Sequence, residues 1–325
     1  MKIGLYGYGN LARGVEAAIA KNSDLTLNAV FSRRDPQSVK IATAGVPVVR
    51  AADVWDWQEK LDVLVICGGS ATDLPEMTPM LAKAFNVVDS YDNHSNIPTH
   101  FANVDAAAKK AGTTALISCG WDPGMFSLAR LYANCILPDG SDYTFWGRGV
   151  SQGHSDAIRR IEGVLDARQY TVPSEEAMAR VRSGEKPVLT TREKHRRECY
   201  VVAADGADRE AIRKQIVEMP AYFADYDTTV EFITMDEMKR NHSELPHGGS
   251  VIRTGTTDAG THQHVIEYAL KLDSNPEFTG SVLASFARAV YRMAQRGEHG
   301  CKTVFDVAPK DLALLPREEL IAHML

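Results

Sequence analysis

The sequence predicts an α/β fold, in which a doubly wound parallel sheet is followed by a second, α+β domain. Strand and helix signals alternate over the first 120 residues, and a glycine-rich turn directly follows the first strand. After residue 121 the pattern changes to strands with a period-2 alternation of polar and apolar residues. A chain of 325 residues is long enough for two domains, because domains average roughly 150 residues.

The first 120 residues predict right-handed βαβ units. Short apolar segments indicate strands at 3–6, 25–31, 47–49, 63–67, 86–89 and 114–117. Apolar residues at helical spacing indicate helices at 11–20, 52–59, 74–85 and 101–111. The segment 63–67 is apolar at every position, as expected of a strand buried on both faces of a parallel sheet.

The rest of the chain predicts a second sheet. Its strands are expected at 143–149, 168–172, 199–203, 228–234, 251–257 and 262–270, with helices at 174–182 and 209–219. The strongly helical stretch 278–296 is expected to pack back on the first domain. We therefore predict a discontinuous first domain, 1–121 plus about 273–325, and a second domain at 122–272.

Composition and charge exclude several classes of protein. The formal net charge of −6 argues against nucleic-acid binding, which needs clustered Lys and Arg. No apolar run reaches the roughly 18 residues that span a membrane, and no signal-peptide pattern opens the chain. The five cysteines form no CxxC pair, and no Cys and His group has zinc-ligand spacing. We therefore expect reduced thiols, a cytoplasmic location and no bound metal.

A glycine-rich turn joins the first predicted strand to the first predicted helix. Gly7 permits a tight turn, Gly9 lets backbone N–H groups approach a pyrophosphate, and Ala12 lets the helix pack closely on the strand. The pyrophosphate would lie at the positive end of the helix. The motif therefore predicts a dinucleotide-binding domain of the Rossmann type. The predicted cofactor contacts are Gly7, Tyr8, Gly9, Asn10 and Leu11.

The end of the second predicted strand selects the type of dinucleotide. An NAD enzyme carries an acid there, which accepts a hydrogen bond from the ribose 2′-hydroxyl. This sequence has Ser32, Arg33 and Arg34 instead, and a guanidinium pairs with a 2′-phosphate through two hydrogen bonds. We therefore predict NADP as the cofactor.

The strand at 63–67 ends in a run of small residues, which suits a crevice that holds a dinucleotide. Further cofactor contacts are predicted from Gly69, Ser70, Ala71 and Thr72. In the alternative interpretation, Thr72 or Asp73 only caps the next helix.

The next two strand ends are acidic and aromatic. They carry Asp92 on the first and Trp121 with Asp122 on the second, at the edge of the sheet where a nicotinamide is expected. Two carboxylates at this place can hold an ammonium group, which predicts an amine substrate and not an alcohol. Alternatively, Asp122 caps a helix that has Pro123 at its first position.

Distinctive short segments extend from end to end of the chain, and most lie outside the dinucleotide motif. They are Gly-Tyr-Gly-Asn-Leu (7–11), Phe-Ser-Arg-Arg (31–34), Gly-Ser-Ala-Thr-Asp (69–73), Tyr-Asp-Asn-His (91–94), Gly-Trp-Asp-Pro-Gly-Met-Phe-Ser (120–127), Phe-Trp-Gly (145–147), Ser-Gln-Gly-His-Ser-Asp-Ala (151–157), Pro-His-Gly-Gly (246–249) and Leu-Asp-Ser-Asn-Pro (272–276). Together they closely resemble the meso-diaminopimelate dehydrogenase family. The sequence departs from that pattern in Ala12, which replaces a third glycine, and in Asn96, where some members carry an acid.

The resemblance implies a reaction. The family oxidatively deaminates the D-configured carbon of meso-2,6-diaminopimelate with NADP⁺. The products are L-2-amino-6-oxopimelate, ammonia and NADPH, and the reverse direction serves lysine and cell-wall synthesis. The resemblance also implies that the second domain binds the substrate and forms a homodimer.

The resemblance assigns roles to residues on both domains. Asp92 and Asp122 match residues that hold the reacting D-centre ammonium, and Trp121 and Trp146 match aromatic walls of the site. The residues that match the distal, L-configured end are Thr171, Arg197, His247 and Asn275. These residue types suit an amino-acid end group, since the guanidinium of an arginine can donate two parallel hydrogen bonds to a carboxylate. Without the resemblance, however, the arginine could be a surface charge and the histidine and asparagine turn residues.

Two other functions remain open from the sequence. One is an NADP-dependent D-amino-acid dehydrogenase or imine reductase of broader specificity, with the same fold and cofactor. The other is a non-catalytic NADPH-sensing protein, which would keep the phosphate loop but lack the paired acids Asp92 and Asp122.

Overall fold

The structure, a computed structural model, describes all 325 residues. Its strands are β1 (Lys2–Tyr6), β2 (Thr26–Ser32), β3 (Val48–Arg50), β4 (Val63–Ile66), β5 (Val87–Asp89), β6 (Thr114–Leu116), β7 (Gly140–Trp146), β8 (Gly149–Val150), β9 (Val164–Pro173), β10 (His195–Ala203), β11 (Asp227–Phe232), β12 (His247–Thr257), β13 (His262–Leu272) and β14 (Gly300–Lys302). Its α-helices are α1 (Asn10–Ile19), α2 (Leu74–Leu81), α3 (Ile97–Ala111), α4 (Met125–Ile136), α5 (Gln152–Arg159), α6 (Glu175–Arg182), α7 (Thr191–Lys194), α8 (Arg209–Val217), α9 (Met235–Asn241), α10 (Asn275–Gln295), α11 (Pro309–Leu312) and α12 (Arg317–Met324). None of the helices is long and apolar enough to cross a lipid bilayer.

The chain divides into two compact units. The first contains Met1–Leu128 and Pro276–Leu325, and the second contains Ala129–Asn275. The divisions fall inside α4 and at the start of α10. They lie a few residues beyond the boundaries expected from the sequence at 121 and 272.

The first unit is built on a seven-stranded sheet in the order β14-β6-β5-β4-β1-β2-β3. All its strand pairs are parallel, so the predicted doubly wound fold is confirmed. The order reverses between β1 and β4, which is where ligands bind at the carboxyl ends of such sheets. The edge strand β14 was not predicted, because its sequence, Gly-Cys-Lys, lacks the apolar run that marks the other strands of this sheet.

The two faces of this sheet are covered by different helices. On one face, Val15 of α1 and Leu283, Phe286 and Val290 of α10 share a buried apolar cluster with Ile3 of β1. The other face packs against α2 and α3, through residues such as Leu81 and Val104.

Helices α1 and α10, which cover the same face of the sheet, meet at two glycines. A Cβ on Gly280 of α10 would lie 2.3 Å from the carbonyl carbon of Gly14 in α1, and one on Gly14 would lie 2.4 Å from the Pro276 carbonyl oxygen. Nearby, the buried Arg288 donates to Asp24 at 2.6 Å. The C-terminal stretch therefore packs on the N-terminal part of the chain with backbone in direct contact.

The second unit contains two sheets, so the prediction of one second sheet was wrong. Strands β11-β10-β9-β8 form one sheet and β13-β12-β7 the other. The first sheet has a buried cluster that includes Ile158 of α5, Val201 and Ile212 of α8, and the second has one that includes Phe145, Met178 and Ile252. Period-2 alternation shows which face of a strand is buried, but it does not show which strands pair.

Two predicted helices also differ from the structure. Residues Ala51–Lys60 form 3₁₀ turns and not an α-helix. The helix expected at 74–85 ends at Leu81, and the residues after it continue as turns in which the N–H groups of Ala84 and Phe85 donate to the Leu81 carbonyl oxygen.

Candidate active site

The phosphate loop lies between β1 and α1, as predicted. Gly7 has a φ of 92°, and a Cβ there would lie 3.0 Å from the Cys67 carbonyl oxygen, so a side chain is excluded. Gly9 is the N-cap of α1, and a Cβ on it would meet no atom within 4 Å. The N–H groups of Asn10 and Leu11 open the first turn of α1, where donors lack helical partners. The loop thus combines open space with the donors that a pyrophosphate needs.

The side chain of Tyr8 is engaged within the protein. Its hydroxyl donates to Glu16 Oε2 at 2.5 Å, and the ring is buried. Burial, together with the bond to Glu16, raises the pKa of Tyr8 to about 12. The Tyr8 carbonyl oxygen accepts from Arg34 Nη2 at 2.5 Å. Tyr8 therefore ties the phosphate loop to an arginine at the end of β2.

A groove of about 670 Å³ lies where β2 and β3 end, and three arginines line it. They are Arg33, Arg34 and Arg50, and Ser32 lines the groove beside them. The Ser32 hydroxyl oxygen accepts from the backbone N–H of Arg34 at 3.0 Å. This cluster of guanidinium groups suits a phosphate dianion.

Arg50 was missed by the sequence reasoning. It ends β3 and pairs in register with Ser32. The strand at 47–49 was predicted, and Arg50 directly follows it. Its position at another strand end of the same sheet edge was the signal that could have identified it.

Arg33 is held by a carboxylate from the loop after β4. Its guanidinium makes two parallel bonds to Asp73, at 3.0 and 3.1 Å, and these lower the pKa of Asp73. Asp73 occupies the N-cap position of α2, but its side chain makes no capping bond there and accepts instead from the backbone N–H of Gly69 at 2.9 Å. The loop that carries Gly69, Ser70, Ala71 and Thr72 is thus fixed to the end of β2.

Asp92 lies in the exposed loop after β5. Its backbone N–H donates to the Ser70 hydroxyl at 2.8 Å. The loops after β4 and β5 are therefore joined, and Asp92 lies beside a residue predicted to contact the cofactor.

Trp121 and Asp122 lie in the loop after β6. Trp121 is buried and meets Phe126 edge to face, with ring centroids 5.4 Å apart, while Asp122 is half-buried. Helix α4 begins only at Met125, and the Ser127 hydroxyl accepts from the Gly124 N–H at 3.1 Å. The alternative prediction, in which Asp122 caps a helix with Pro123 at its first position, is therefore wrong.

In the second unit, Arg197 is a buried cation on β10. It pairs in register with Thr171 of β9, and its Nη1 donates to the Thr171 hydroxyl. Its guanidinium carbon lies 3.9 Å from the centre of the Tyr226 ring, and its Nε has no hydrogen-bond partner. Burial lowers the pKa of Arg197. A buried guanidinium with an unused donor is suited to receive a carboxylate.

A second buried polar side chain lies on the same face of β9. Gln169, two residues before Thr171, is fully buried, and neither amide atom has a hydrogen-bond partner. Sequence reasoning missed Gln169, because a single glutamine in a strand carries no signal of its own.

Trp146 ends β7 and is held by His195. The Trp146 backbone N–H donates to His195 Nε2 at 2.8 Å, and the two rings stack with centroids 5.3 Å apart. Burial, with Arg197 adding a positive charge nearby, lowers the pKa of His195 to about 3. His195 is therefore neutral, and it too was missed by the sequence reasoning.

His247 and Asn275 lie close to these residues in the same unit. A Cβ on Gly149, which pairs in register with Thr171, would lie 2.5 Å from the His247 ring. The backbone N–H of Asn275 donates to the carbonyl oxygen of Leu245, two residues before His247. The structure thus brings the four predicted distal-end residues to one region of the second unit.

Comparisons with known proteins identify the chains that this one resembles. Residues 120–274 match the family described as the C-terminal domain of diaminopimelic acid dehydrogenase. A relative from Ureibacillus thermosphaericus, meso-diaminopimelate D-dehydrogenase, is 54% identical over 329 residues, which cover 99% of each chain.

Two solved structures are also similar over the full length. One is the diaminopimelate dehydrogenase of C. glutamicum in complex with DAP, at 47% identity and a TM-score of 0.93, covering 100% of this chain and 99% of that one. The other is an engineered D-amino acid dehydrogenase bound to NADP⁺, at 46% identity and a TM-score of 0.88, with the same coverage.

Proposed function

The chain belongs to the meso-diaminopimelate D-dehydrogenase family, and we propose that it catalyses the reversible deamination of meso-2,6-diaminopimelate. The D-centre is oxidised by NADP⁺ in the presence of water, giving L-2-amino-6-oxopimelate, ammonia, NADPH and a proton. The observation that carries this proposal is the pair of acids, Asp92 and Asp122, that follow adjacent strands beside a phosphate loop of NADP type.

NADP fits the residues of the first unit. The open cradle at Gly9 accommodates a pyrophosphate, and the groove with Arg33, Arg34 and Arg50 suits a 2′-phosphate. The Ser32 hydroxyl lies in the same groove, where an NAD enzyme would carry an acid. When bound, the cofactor supplies the hydride acceptor.

The carboxylates of Asp92 and Asp122 hold the D-centre ammonium of the substrate. The ammonium must lose a proton before the resulting amine can give up hydride and become an iminium, and a carboxylate within reach accepts that proton, directly or through water. The buried indole of Trp121 forms an apolar wall beside Asp122 and limits the access of water to the reacting carbon.

The L-configured end of the substrate is bound by the second unit. Arg197 pairs with the distal carboxylate, and Thr171, His247 and Asn275 add hydrogen bonds. Trp146, fixed by His195, forms a second aromatic wall. Because these groups fix the L-centre, only the D-centre remains for oxidation.

The test is NADP⁺ reduction, followed as NADPH absorbance, with meso-, LL- and DD-diaminopimelate. We expect reduction with the meso isomer and none with the LL isomer, which has no D-centre. Equal rates with the LL isomer would contradict the proposed choice of centre.

A second candidate is a D-amino-acid dehydrogenase of broader specificity. The likeness to an engineered D-amino acid dehydrogenase favours testing it. Rates on simple D-amino acids that match the rate on meso-diaminopimelate would support this second function. The non-catalytic sensor is set aside, since the family is one of enzymes.

We further propose a cytoplasmic homodimer. Three large apolar side chains of α4 are exposed in the single chain, namely Leu131, Tyr132 and Ile136, and the last is 71% exposed. All five cysteines are unpaired, as in proteins of reducing compartments. Light scattering should give a dimer, and Ile136→Asp should shift it towards monomer.

A further inference from the structure

Asp89 is a fully buried carboxylate at the end of β5 that the proposed chemistry does not use. Its Oδ1 accepts from the backbone N–H groups of Tyr91, at 3.0 Å, and Ser118, at 2.9 Å. Its Oδ2 accepts from the Thr78 hydroxyl at 2.7 Å and lies 2.8 Å from His100 Nε2. One carboxylate therefore joins two strand-end loops to two helices.

The two loops that Asp89 joins carry the proposed reaction centre. Tyr91 directly precedes Asp92, and Ser118 begins the loop that leads to Asp122. The β5–β6 ladder pairs Val88 with Leu116 as its last residues. Beyond that point Asp89 connects the loops through two groups. Its carboxylate accepts from the Ser118 N–H, and its carbonyl oxygen accepts from the Cys119 N–H at 2.9 Å.

His100 supports Asp89 from α3. Its ring stacks on the Tyr91 ring, with centroids 4.2 Å apart, and both side chains are buried. Because both oxygens of Asp89 already accept from other donors, we assign the proton of this contact to His100 Nε2. Nδ1 of His100 has no partner, so the ring is placed by Asp89 and Tyr91.

Burying a carboxylate is costly unless hydrogen bonds compensate for its lost hydration. An apolar residue could fill this place among the strands at lower cost, but it could not accept the two loop N–H groups. We propose that Asp89 and His100 are positioning residues that set the separation of the Asp92 and Asp122 carboxylates. The proposal rests on the role proposed above for those two acids.

The experiment compares Asp89→Ala with the matched control Asp105→Ala. Asp105 is also a carboxylate of the first unit that accepts a backbone N–H, from Cys301 at 3.0 Å, but it lies between α3 and β14 and contacts neither loop. For each variant we would measure NADPH binding, kcat and KM for meso-diaminopimelate per NADPH-binding site, and the isotope effect of α-deuterated substrate. Asp89→Asn keeps an acceptor oxygen and tests rescue by the conservative change.

Asp89→Ala should lower kcat by about 10-fold or more relative to Asp105→Ala, because misplacement of reacting groups by about 1 Å can cost 100-fold. Its Kd for NADPH should stay within about 2-fold of the control, since the phosphate loop is unchanged. The isotope effect should increase, because hydride transfer becomes the slow step, and Asp89→Asn should restore most of kcat.

Equal kcat values for Asp89→Ala and Asp105→Ala, or an unchanged isotope effect, would overturn the proposal. If Asp89→Ala does not fold, His100→Phe carries the test. It keeps a ring against Tyr91 and removes the donor to Asp89, so kcat should fall several-fold with NADPH binding intact, and wild-type kinetics would refute the proposal. Failure of the proposed function would instead appear in the unaltered enzyme, as no NADP⁺ reduction with meso-diaminopimelate.

Discussion

Replacing Arg197 by Met should separate substrate binding from stability. Arg197 is 7% exposed, and its guanidinium meets the Thr171 hydroxyl and the face of Tyr226. Met has a similar length and no charge, so it fills the space without a donor. Two charge-assisted hydrogen bonds to a substrate carboxylate are worth about 1.5–3 kcal/mol each. The loss of at least about 3 kcal/mol predicts a KM for meso-diaminopimelate that is higher by roughly 100-fold or more.

The same substitution should change the free energy of unfolding very little. It removes a cation–π contact worth about 2 kcal/mol when desolvated and a hydrogen bond worth about 1 kcal/mol. It also removes the cost of burying a charge that lacks a carboxylate partner, which is several kcal/mol. These effects oppose each other, so we expect a net change within about 1 kcal/mol.

The assay is NADP⁺ reduction at varied substrate, with NADPH binding by fluorescence and urea unfolding beside it. Arg196→Met is the matched control, because Arg196 precedes Arg197 on β10 but faces solvent and pairs with Glu198 at 3.1 Å. Arg197→Met should raise KM and leave the Kd for NADPH within about 2-fold. Equal losses of substrate and NADPH binding, or wild-type KM, would refute this account of Arg197.

Three further predictions concern the other parts of the site. Asp92→Asn and Asp122→Asn should each lower kcat/KM by about 10-fold or more, the usual scale for a positioned acid–base group; unchanged kinetics in both would contradict their assignment. Arg34→Ala and Arg50→Ala should each raise the KM for NADP⁺ by about 10-fold, the scale of one lost charge-assisted bond, and leave that for NAD⁺ unchanged; a parallel rise in both would argue against contact with the 2′-phosphate. Since burial lowers the pKa of His195 to about 3, the unfolded chain binds more protons below the ordinary pKa of 6.5. Between pH 7 and pH 5, the titration of His195 alone should therefore lower the free energy of unfolding by about 1–2 kcal/mol. Urea unfolding at the two pH values measures it, and His195→Gln should show a smaller fall.

The phosphate loop and the strand ends could be predicted because their signals are local. Gly7 and Gly9 stand between a strand and a helix that are themselves contiguous in sequence. Ser32 ends a strand, Asp92 and Asp122 each follow one, and parallel strands place their carboxyl ends at one edge. A reader of the sequence needs no knowledge of which strands are neighbours to make these predictions.

Residues that act through distant partners could not be predicted. His100, His195 and Tyr226 act through Asp89, Trp146 and Arg197, and each partner lies on a different element. The pairing of β7 with β12, and of β9 with β10, decides which side chains face each other. Since alternation alone does not specify pairing, the division of the second unit into two sheets was missed for the same reason.

The contact between Gly14 and Gly280 has a consequence for the order of events during synthesis. Helix α1 leaves the ribosome before the second unit, but α10, the helix that covers it, follows the second unit in the chain. At about 5–20 residues per second, residues 129–275 delay that helix by roughly 7–30 s. During this interval the second unit is synthesised, and the nascent N-terminal part exposes the apolar face that α10 later covers. We expect chaperone contacts to concentrate on this face until α10 has been synthesised.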